Sequence, residues 1–363
     1  ASDTLSTLYG LEYNEVNVLR NGGNGEMIKK NKVLLPPEVS AKLTAVKNSN
    51  GVDYWVVAHK FNSNEFCSFR VTANGVDTTG YVSSKLGTSH TGPGETNNAV
   101  GYMKISPDGT KLALAIHGSH VFELYDFNAG SGVVSNVRTS PATFDDAYCI
   151  EFSSDSKLLY GTTTSTTLPQ PNFTPPSYLF QFNLSLPGNT MFSAGSFDTI
   201  ALDTNGSYLS GMQLATDGKI YISRVPYGNA TLSAIENPKR LGKECNFKSG
   251  VLDLQGKKSR AGFPNFITTY FDLPHFDVEN VCFSDVTNFI LQNNANITSA
   301  IWQFTDGSPV TLNGIQPSYT FSGPGDYPVT VTETYTSTSG TQTYSYTETV
   351  KIIELPPVDI GDT

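Results

Sequence analysis

Residues 104–115 read KISPDGTKLALA: a strand-like run, a Pro-Asp-Gly turn and a second apolar run. Weaker versions stand at 46–57 (VKNSNGVDYWVV), 151–161 (EFSSDSKLLYG) and 213–223 (QLATDGKIYIS). The turn centres are Asn50-Gly51, Asp108-Gly109, Asp155-Ser156 and Asp217-Gly218, separated by 58, 47 and 62 residues. Asp and Asn bond their own backbone at such turns, and Gly supplies the positive φ. Before each of the last three turns apolar residues alternate: Met103 and Ile105, Ile150 and Phe152, Met212 and Leu214. After every turn comes a more apolar strand (YWVV, LALAI, LLYG, IYIS), then a third run: EFCSFRV, HVFELYDF, SYLFQFNL and the weaker TLSAI. A unit of this strand content recurring at roughly 40–50 residues is the signature of a β-propeller blade, and loop insertions lengthen it. One insertion is TTTSTTLPQPNFTPP (162–176), too rich in Thr and Pro for a strand. A β-sandwich with long loops is the alternative.

Helical periodicity is almost absent. PPEVSAKLTAV (36–46) is the one modest candidate, and its Pro pair makes it a loop leading into a strand. FDLPHFDVEN (271–280) reads as a linker. Beyond it VCFSDVTNFIL, SAIWQFTDG, PSYTFSGPGDYPVTVTETY and TYSYTETVKII alternate as an immunoglobulin-like sandwich does. The expected division is a β-propeller at 1–275 with about five blades represented, an Ig-like domain at 276–354, and a linker to a further domain at 355–363.

Of the 363 residues only 15% are charged and the net charge is −10, against about 25% charged in an average soluble domain. Without a Lys/Arg cluster to neutralise phosphates, nucleic acid is excluded as the expected partner. No apolar run reaches about 18 residues, so no membrane-spanning helix is expected. ASDTLSTLYG at the start has neither a basic n-region nor an apolar h-region, which reads as a signal already removed or as the interior of a longer precursor. Cys67, Cys149, Cys245 and Cys282 lie in no CxxC, so they are expected to be buried thiols or to form a disulfide.

The chemistry-bearing residues form no catalytic signature. GxSxG and HExxH are both absent. His117 and His120 flank a Gly-Ser turn, a spacing that does not put both rings on one face of a hairpin. Asp145-Asp146 on a strand would point to opposite faces, as a solvated edge. GGNGE (22–26) lacks the Lys and the strand–helix context of a phosphate loop and reads as a hairpin loop. SPDG and ATDG offer one carboxylate each, so Asp108 and Asp217 are read as turn formers and not Ca²⁺ ligands. No cofactor, metal or catalytic residue is assigned. Candidate binding residues are His90 in a Gly-rich loop, Arg224, and the loop aromatics Tyr227 and Phe173, with Glu95 and Arg260 as further charges that converge at one channel end or pair structurally.

YMKISPDGTKLALAIHGSHVFELYDFN, KLTAVKNSNGVDYWVVAHKFNSNEF, MQLATDGKIYISR and SRAGFPNFITTYF resemble the propellers of large surface proteins of gliding bacteria, exported by the type nine secretion system and often carrying a gliding-motility-associated sorting domain. The resemblance covers roughly residues 9–271. It implies a seven-bladed ring, with YGLEYNEVNV (9–18) in the outer part of the second blade, SRAGFPNFITTYF in the closing blade, and missing N-terminal blades elsewhere in a longer polypeptide. A compact five- or six-bladed ring is the alternative. The second domain resembles a PKD domain: WQFTDG (302–307) stands where that family has Trp-Asp-Phe-Gly-Asp-Gly, and PSYTFSGPGDYPVTVT (317–332) matches its second conserved stretch. There Trp302 is a core anchor and Asp306-Gly307 a hairpin turn. In such bacteria Asp-Thr-aliphatic sites are O-glycosylated, which makes Thr4, Thr199 and, more loosely, Thr78 candidates. Asn172, Asn183, Asn205, Asn229 and Asn296 begin Asn-x-Ser/Thr triplets, coincidental in a bacterial protein. The resemblance implies a non-enzymatic adhesin or structural protein at the cell surface or outside the outer membrane. Expected partners are surface-anchoring or secretion proteins, an extracellular glycan or polymer, and the rest of the propeller. A component docking to the secretion or motility machinery, and a polysaccharide-active enzyme using the channel, are the alternatives.

Overall fold

The computed structural model describes residues 10–92, 98–163, 177–203, 208–225, 230–267, 276–291, 297–337 and 340–354. These are strands, turns and short 3-10 turns, with no α-helix among the described residues. Tyr227, Phe173, Thr4 and Glu95 lie outside the described residues. Two compact units emerge, Ala1–Leu214 with Ile220–Tyr270, and Phe271–Thr363 with Ala215–Lys219.

The first unit opens with a hairpin of β1 (Leu11–Asn17) and β2 (Glu26–Leu35), a two-stranded sheet joined through GGNGE as a loop. Four antiparallel meanders follow. The first is β3 (Val39–Lys47), β4 (Tyr54–Lys60), β5 (Glu65–Thr72) and an outer edge of β6 (Gly75–Val76) and β7 (Val82–Lys85), both paired with β5. The second is β8 (Met103–Ile105), β9 (Lys111–Ile116), β10 (Val121–Asn128) and β11 (Val133–Thr139). The third is β12 (Ala147–Phe152), β13 (Leu158–Thr163), β14 (Ser177–Asn183) and β15 (Phe197–Asp203). The fourth is β16 (Tyr208–Leu214), β17 (Ile220–Val225), β18 (Thr231–Ile235) and β19 (Phe247–Asp253). Each is a blade in strand order, and the first strands meet in succession: β3 against β8, β8 against β12, β12 against β16. The arrangement is propeller-like. The segment at 259–267, expected in a closing blade, forms no strand.

The repeated turns do what their residues dictate. Asp108 Oδ1 accepts bonds from Thr110 N (3.0 Å), Thr110 Oγ1 (2.9 Å) and Ser106 Oγ (2.6 Å), while Gly109 takes φ +70° and donates to Ser106 O at 2.9 Å. Asp217, with Gly218 at φ +77°, and Asp155, with Ser156 at φ 60°, repeat the geometry, each accepting from a backbone N–H two residues on at 3.2 Å. In the first blade Asn50 Oδ1 caps Val52 N and Asp53 N. The turns also tie neighbouring blades: Asp108 N donates to Ser156 Oγ (3.1 Å), and Ser49 N and Trp55 Nε1 both donate to Ala129 O (3.2 and 2.8 Å).

Between the first two blades the core is Val46, Trp55, Val57, Phe66, Leu112, Leu114 and Tyr125, and between the second and third it is Phe122, Phe144, Phe152, Phe182 and Phe192. All four cysteines are free thiols, with Cys67, Cys149 and Cys245 buried. Burial holds the thiols of Cys67, Cys149 and Cys245 above the ordinary range, Cys149 at about 12.

The second unit is a two-sheet sandwich. One sheet is β20 (Phe276–Glu279), β21 (Thr287–Leu291) and β24 (Ser318–Tyr319); the other runs β23 (Ser308–Asn313), β22 (Ile297–Asp306), β25 (Gly325–Ser337), β26 (Gly340–Ile352). Trp302 is wholly buried at its centre, edge-on to Phe276, with Nε1 donating to Gly314 O at 2.8 Å. Gly307 (φ +72°) makes the β22–β23 turn, and the Asp306 carboxylate reaches beyond it to accept from Ser322 N (2.7 Å), Ser322 Oγ and Tyr319 OH (3.3 Å).

Candidate functional site

Strand alternation decides where chemistry can gather. In an antiparallel meander the first-to-second and third-to-fourth turns share one end. The second-to-third loops and the blade-to-blade connections share the other. The Asp-Gly turns occupy the first end. At the other lie the 61–64 and 117–120 loops, residues 86–92 and 98–102, the 140–146 connection, and the start of every first strand. Four of the five histidines, His59, His90, His117 and His120, fall at this second end; the fifth, His275, is outside the described residues.

His59 and His90 form the innermost group. Their rings stack at 3.5 Å between centroids and 25° between planes, and both are fully buried. The connection carrying His90 is pinned through its backbone: His90 N donates to Ser63 O (2.9 Å) and Asn62 N donates to His90 O (2.8 Å). His59 Nδ1 lies 2.8 Å from Lys60 O, which makes it the protonated nitrogen of a neutral ring. Among the described residues His59 Nε2 and both His90 ring nitrogens have no hydrogen-bond partner. Beside them Lys42 is buried on β3, its Nζ donating to Asn98 O at 2.7 Å. Asn98 ties the same connection to Ser89 O and to Ser119. Burial lowers Lys42 to about 7, against the upward pull of Glu123. Burial likewise lowers His59 to about 3, and His90 is held well below the ordinary range by burial, Lys42 and His59. His90, a binding candidate in a Gly-rich loop by sequence, has its ring packed inside, and its backbone orders the connection.

The second group is His117, His120 and Asp146. Residues 117–119 make a 3-10 turn and His120 is left-handed (φ 57°), and both rings come against Asp146. His117 Nε2 lies 3.4 Å from Asp146 Oδ1, and Asp146 N donates to His120 Nδ1 at 3.0 Å. The expectation of a solvated Asp pair holds for Asp145 alone, because Asp146 turns inward to the histidines. Among the described residues no three His, Cys, Asp or Glu side chains assemble as a metal set.

A separate polar bridge spans three blades. Lys104 of β8 pairs with Glu151 of β12 at 2.9 Å and donates to Gln213 of β16 at 2.9 Å, all buried. Glu151 also accepts from Phe152 N and Leu214 N. The 259–267 segment runs along the first strands of the blades. Ala261 O accepts from Gly211 N (2.9 Å) and Ser210 Oγ (2.8 Å), the Tyr102 hydroxyl meets the Phe263 backbone, and Asn265 Nδ2 donates to Leu43 O at 2.6 Å. It thereby touches the fourth, second and first blades.

Arg224 ends β17 and bonds Ser249 of its own blade, and Arg260 is exposed on the 259–267 segment. The structure does not gather them with His90. Thr78 and Thr199 are exposed, Thr199 on the edge strand β15. Sequence reasoning missed Lys42, His59, Lys104, Glu151 and Gln213. A signal existed for one of them: His59 shares the apolar phase of Trp55 and Val57 in WVVAH, whereas Lys42 alternates with Thr44 and Val46 against the more apolar Leu43 and Ala45.

Residues 279–352 match the PKD domain family. No curated protein matches the chain. Solved structures similar to it include Kuenenia stuttgartiensis hydrazine synthase (11% identity, 76% of this chain and 67% of that one, TM-score 0.38). Kluyveromyces lactis Hsv2 (10%, 81% and 77%, 0.38) and the periplasmic gluconolactonase of Pseudomonas aeruginosa (13%, 92% and 94%, 0.38) are similar to the same degree. Nothing about activity is carried over from them.

Proposed function

We propose that this chain is a non-enzymatic binding protein of the cell exterior, exported by the type nine secretion system, with the loop end of its blades as the ligand-facing surface. The observation that carries the reading is the PKD match at 279–352 on a chain with only 15% charged residues. The loop end supports it in a second way. Lys42 and the His59–His90 pair are shut inside the fold, and Lys104 is tied to Glu151 and Gln213. Those groups brace a rigid platform and leave the loops above it to recognise a partner. Protease shaving of intact cells tests the location: the protein is expected to be cut from outside, and its protection in unbroken cells would sink the proposal. Loss of the secretion pore should strand it in the periplasm. Release of new reducing ends or unsaturated sugars from a polysaccharide panel would replace the binder reading with the enzyme reading.

A second reading is favoured by the β1–β2 hairpin. Among the described residues it is a sheet of two strands, and Val16, Val18, Leu19, Met27 and Val33 are at least half exposed. A two-stranded hairpin is marginal alone, and its open edges suit strand addition. Such an edge fits either the remaining strands of the same propeller or a protein of the envelope machinery. Pull-down from native membranes separates the two.

A further inference from the structure

Lys104, Glu151 and Gln213 hold more chemistry than a bridge between blades requires. An ammonium, a carboxylate and a carboxamide meet here from β8, β12 and β16, each residue no more than 5% exposed. Lys104 Nζ lies 2.9 Å from Glu151 Oε2 and donates to Gln213 Oε1 at 2.9 Å. The other two groups are fixed around it. Glu151 Oε1 accepts from Phe152 N at 3.1 Å and Oε2 from Leu214 N at 3.2 Å, while Gln213 Nε2 donates to Leu214 O at 3.0 Å. Leu214 therefore orients both the carboxylate and the carboxamide. Lys42, the other buried lysine among the described residues, donates instead to a backbone carbonyl, Asn98 O, at 2.7 Å.

An amine displaces ammonia from a carboxamide when three conditions are met. The amine must lose its proton, it must reach the carbonyl carbon, and the departing nitrogen must gain a proton. Glu151 serves the first and the third. A buried ion pair bears the desolvation of both charges, so moving one proton from Nζ to the carboxylate it touches gives a neutral amine beside a neutral acid. The second condition is one of distance. Nζ is 2.9 Å from Oε1, and a carbonyl bond of about 1.2 Å then places Nζ no more than about 4.1 Å from Cδ. A small rotation of either long side chain brings the two atoms to the roughly 3–3.5 Å of a reactive approach.

We infer that Lys104 and Gln213 become joined by an isopeptide bond, with Glu151 as the acid–base group. Glu151 takes one proton from the Lys104 ammonium, and the freed lone pair of Nζ forms a bond to Cδ of Gln213. The Glu151 carboxyl gives that proton to Nε2 and takes the second from Nζ. The Cδ–Nε2 bond breaks with its electron pair on nitrogen, and ammonia leaves, carrying the remaining proton from Glu151 as ammonium. Glu151 is again a carboxylate and one amide has replaced another, so no oxidant or reductant is needed. Escape of ammonia into solvent draws the exchange forward. The product ties the second blade to the fourth across 109 residues of chain, and a crosslink closing so long a loop restricts the unfolded chain strongly. The inference rests on this unit alone and does not depend on what the loop end binds.

Mass spectrometry of the folded recombinant full chain, intact and after trypsin, tests it. Peptide 86–111, uncut after Lys104, should appear joined to peptide 158–219, the pair lighter than its separate members by one ammonia, about 17 Da. The intact chain should show the same deficit. Lys104→Arg and Glu151→Gln should each restore the full mass and give unlinked peptides. Should either variant fail to fold, the wild-type peptide map still decides. A wild-type chain at its full sequence mass, or a deficit that maps to other residues, overturns the inference. A linked peptide that persists in Glu151→Gln overturns the role given to Glu151.

Discussion

Lys42, His59 and His90 make stability depend on pH in a predictable direction. His59, with an ordinary value of 6.5, is lowered to about 3 in the fold, first by burial. Below pH 6.5 the unfolded chain therefore binds a proton that the folded chain refuses. The histidine contribution is complete above that pH and is lost as pH falls towards 3, on the order of a few kcal/mol, with His90 acting in the same direction. Lys42 falls from 10.5 to about 7, so between those values only the unfolded state is protonated, and stability rises across that window. Urea unfolding across the pH range should show both slopes. His90→Phe, which suits a buried site stacked on a ring, should flatten the acid limb. An unchanged acid limb would show that the pair is not the cause.

At the scale of elements, turns and strand contacts carry the load. Asp108→Ala removes three bonds from the second-blade turn and should cost about 1–2 kcal/mol. The same change at Asp145, 93% exposed, should cost almost nothing, as chemical denaturation would reveal. Gly161 lies in β13 with ordinary φ, yet a Cβ there would meet the Phe122 ring at 2.7 Å. Gly161→Ala should therefore cost about 1–3 kcal/mol through overpacking between the second and third blades. Trp302→Phe in the sandwich strands the Gly314 carbonyl and leaves a cavity, with an expected loss of about 2–4 kcal/mol.

At the scale of the propeller-like unit, Lys104 couples blades that are distant in sequence. It reaches Glu151, 47 residues on, and Gln213, 109 residues on. Lys104→Met would leave Glu151 as a buried carboxylate without its cation, a loss of about 3–5 kcal/mol. Adding Glu151→Gln should restore part of it, and a double-mutant cycle read from melting curves measures the coupling. Additive losses would mean that the pair does not bridge the blades.

The sequence by itself determined the repeat unit, its strand order, the role of Asp108 and its counterparts as turn formers, and the place of Trp302. All of these rest on local rules: alternation fixes faces, Asp and Gly fix turns, and a fixed spacing fixes the unit. Tertiary structure alone decided which polar groups meet. His59 and His90 are 31 residues apart and stack because one strand end and one blade connection arrive at the same place. Asp146 left its solvated partner because the 140–146 connection turns it onto His117. The placement of 259–267, whose Gly-Phe-Pro-Asn read as a closing blade, depends on hydrogen bonds to strands up to 222 residues away. Burial and pairing are sums over the whole fold, so no window of sequence contains them.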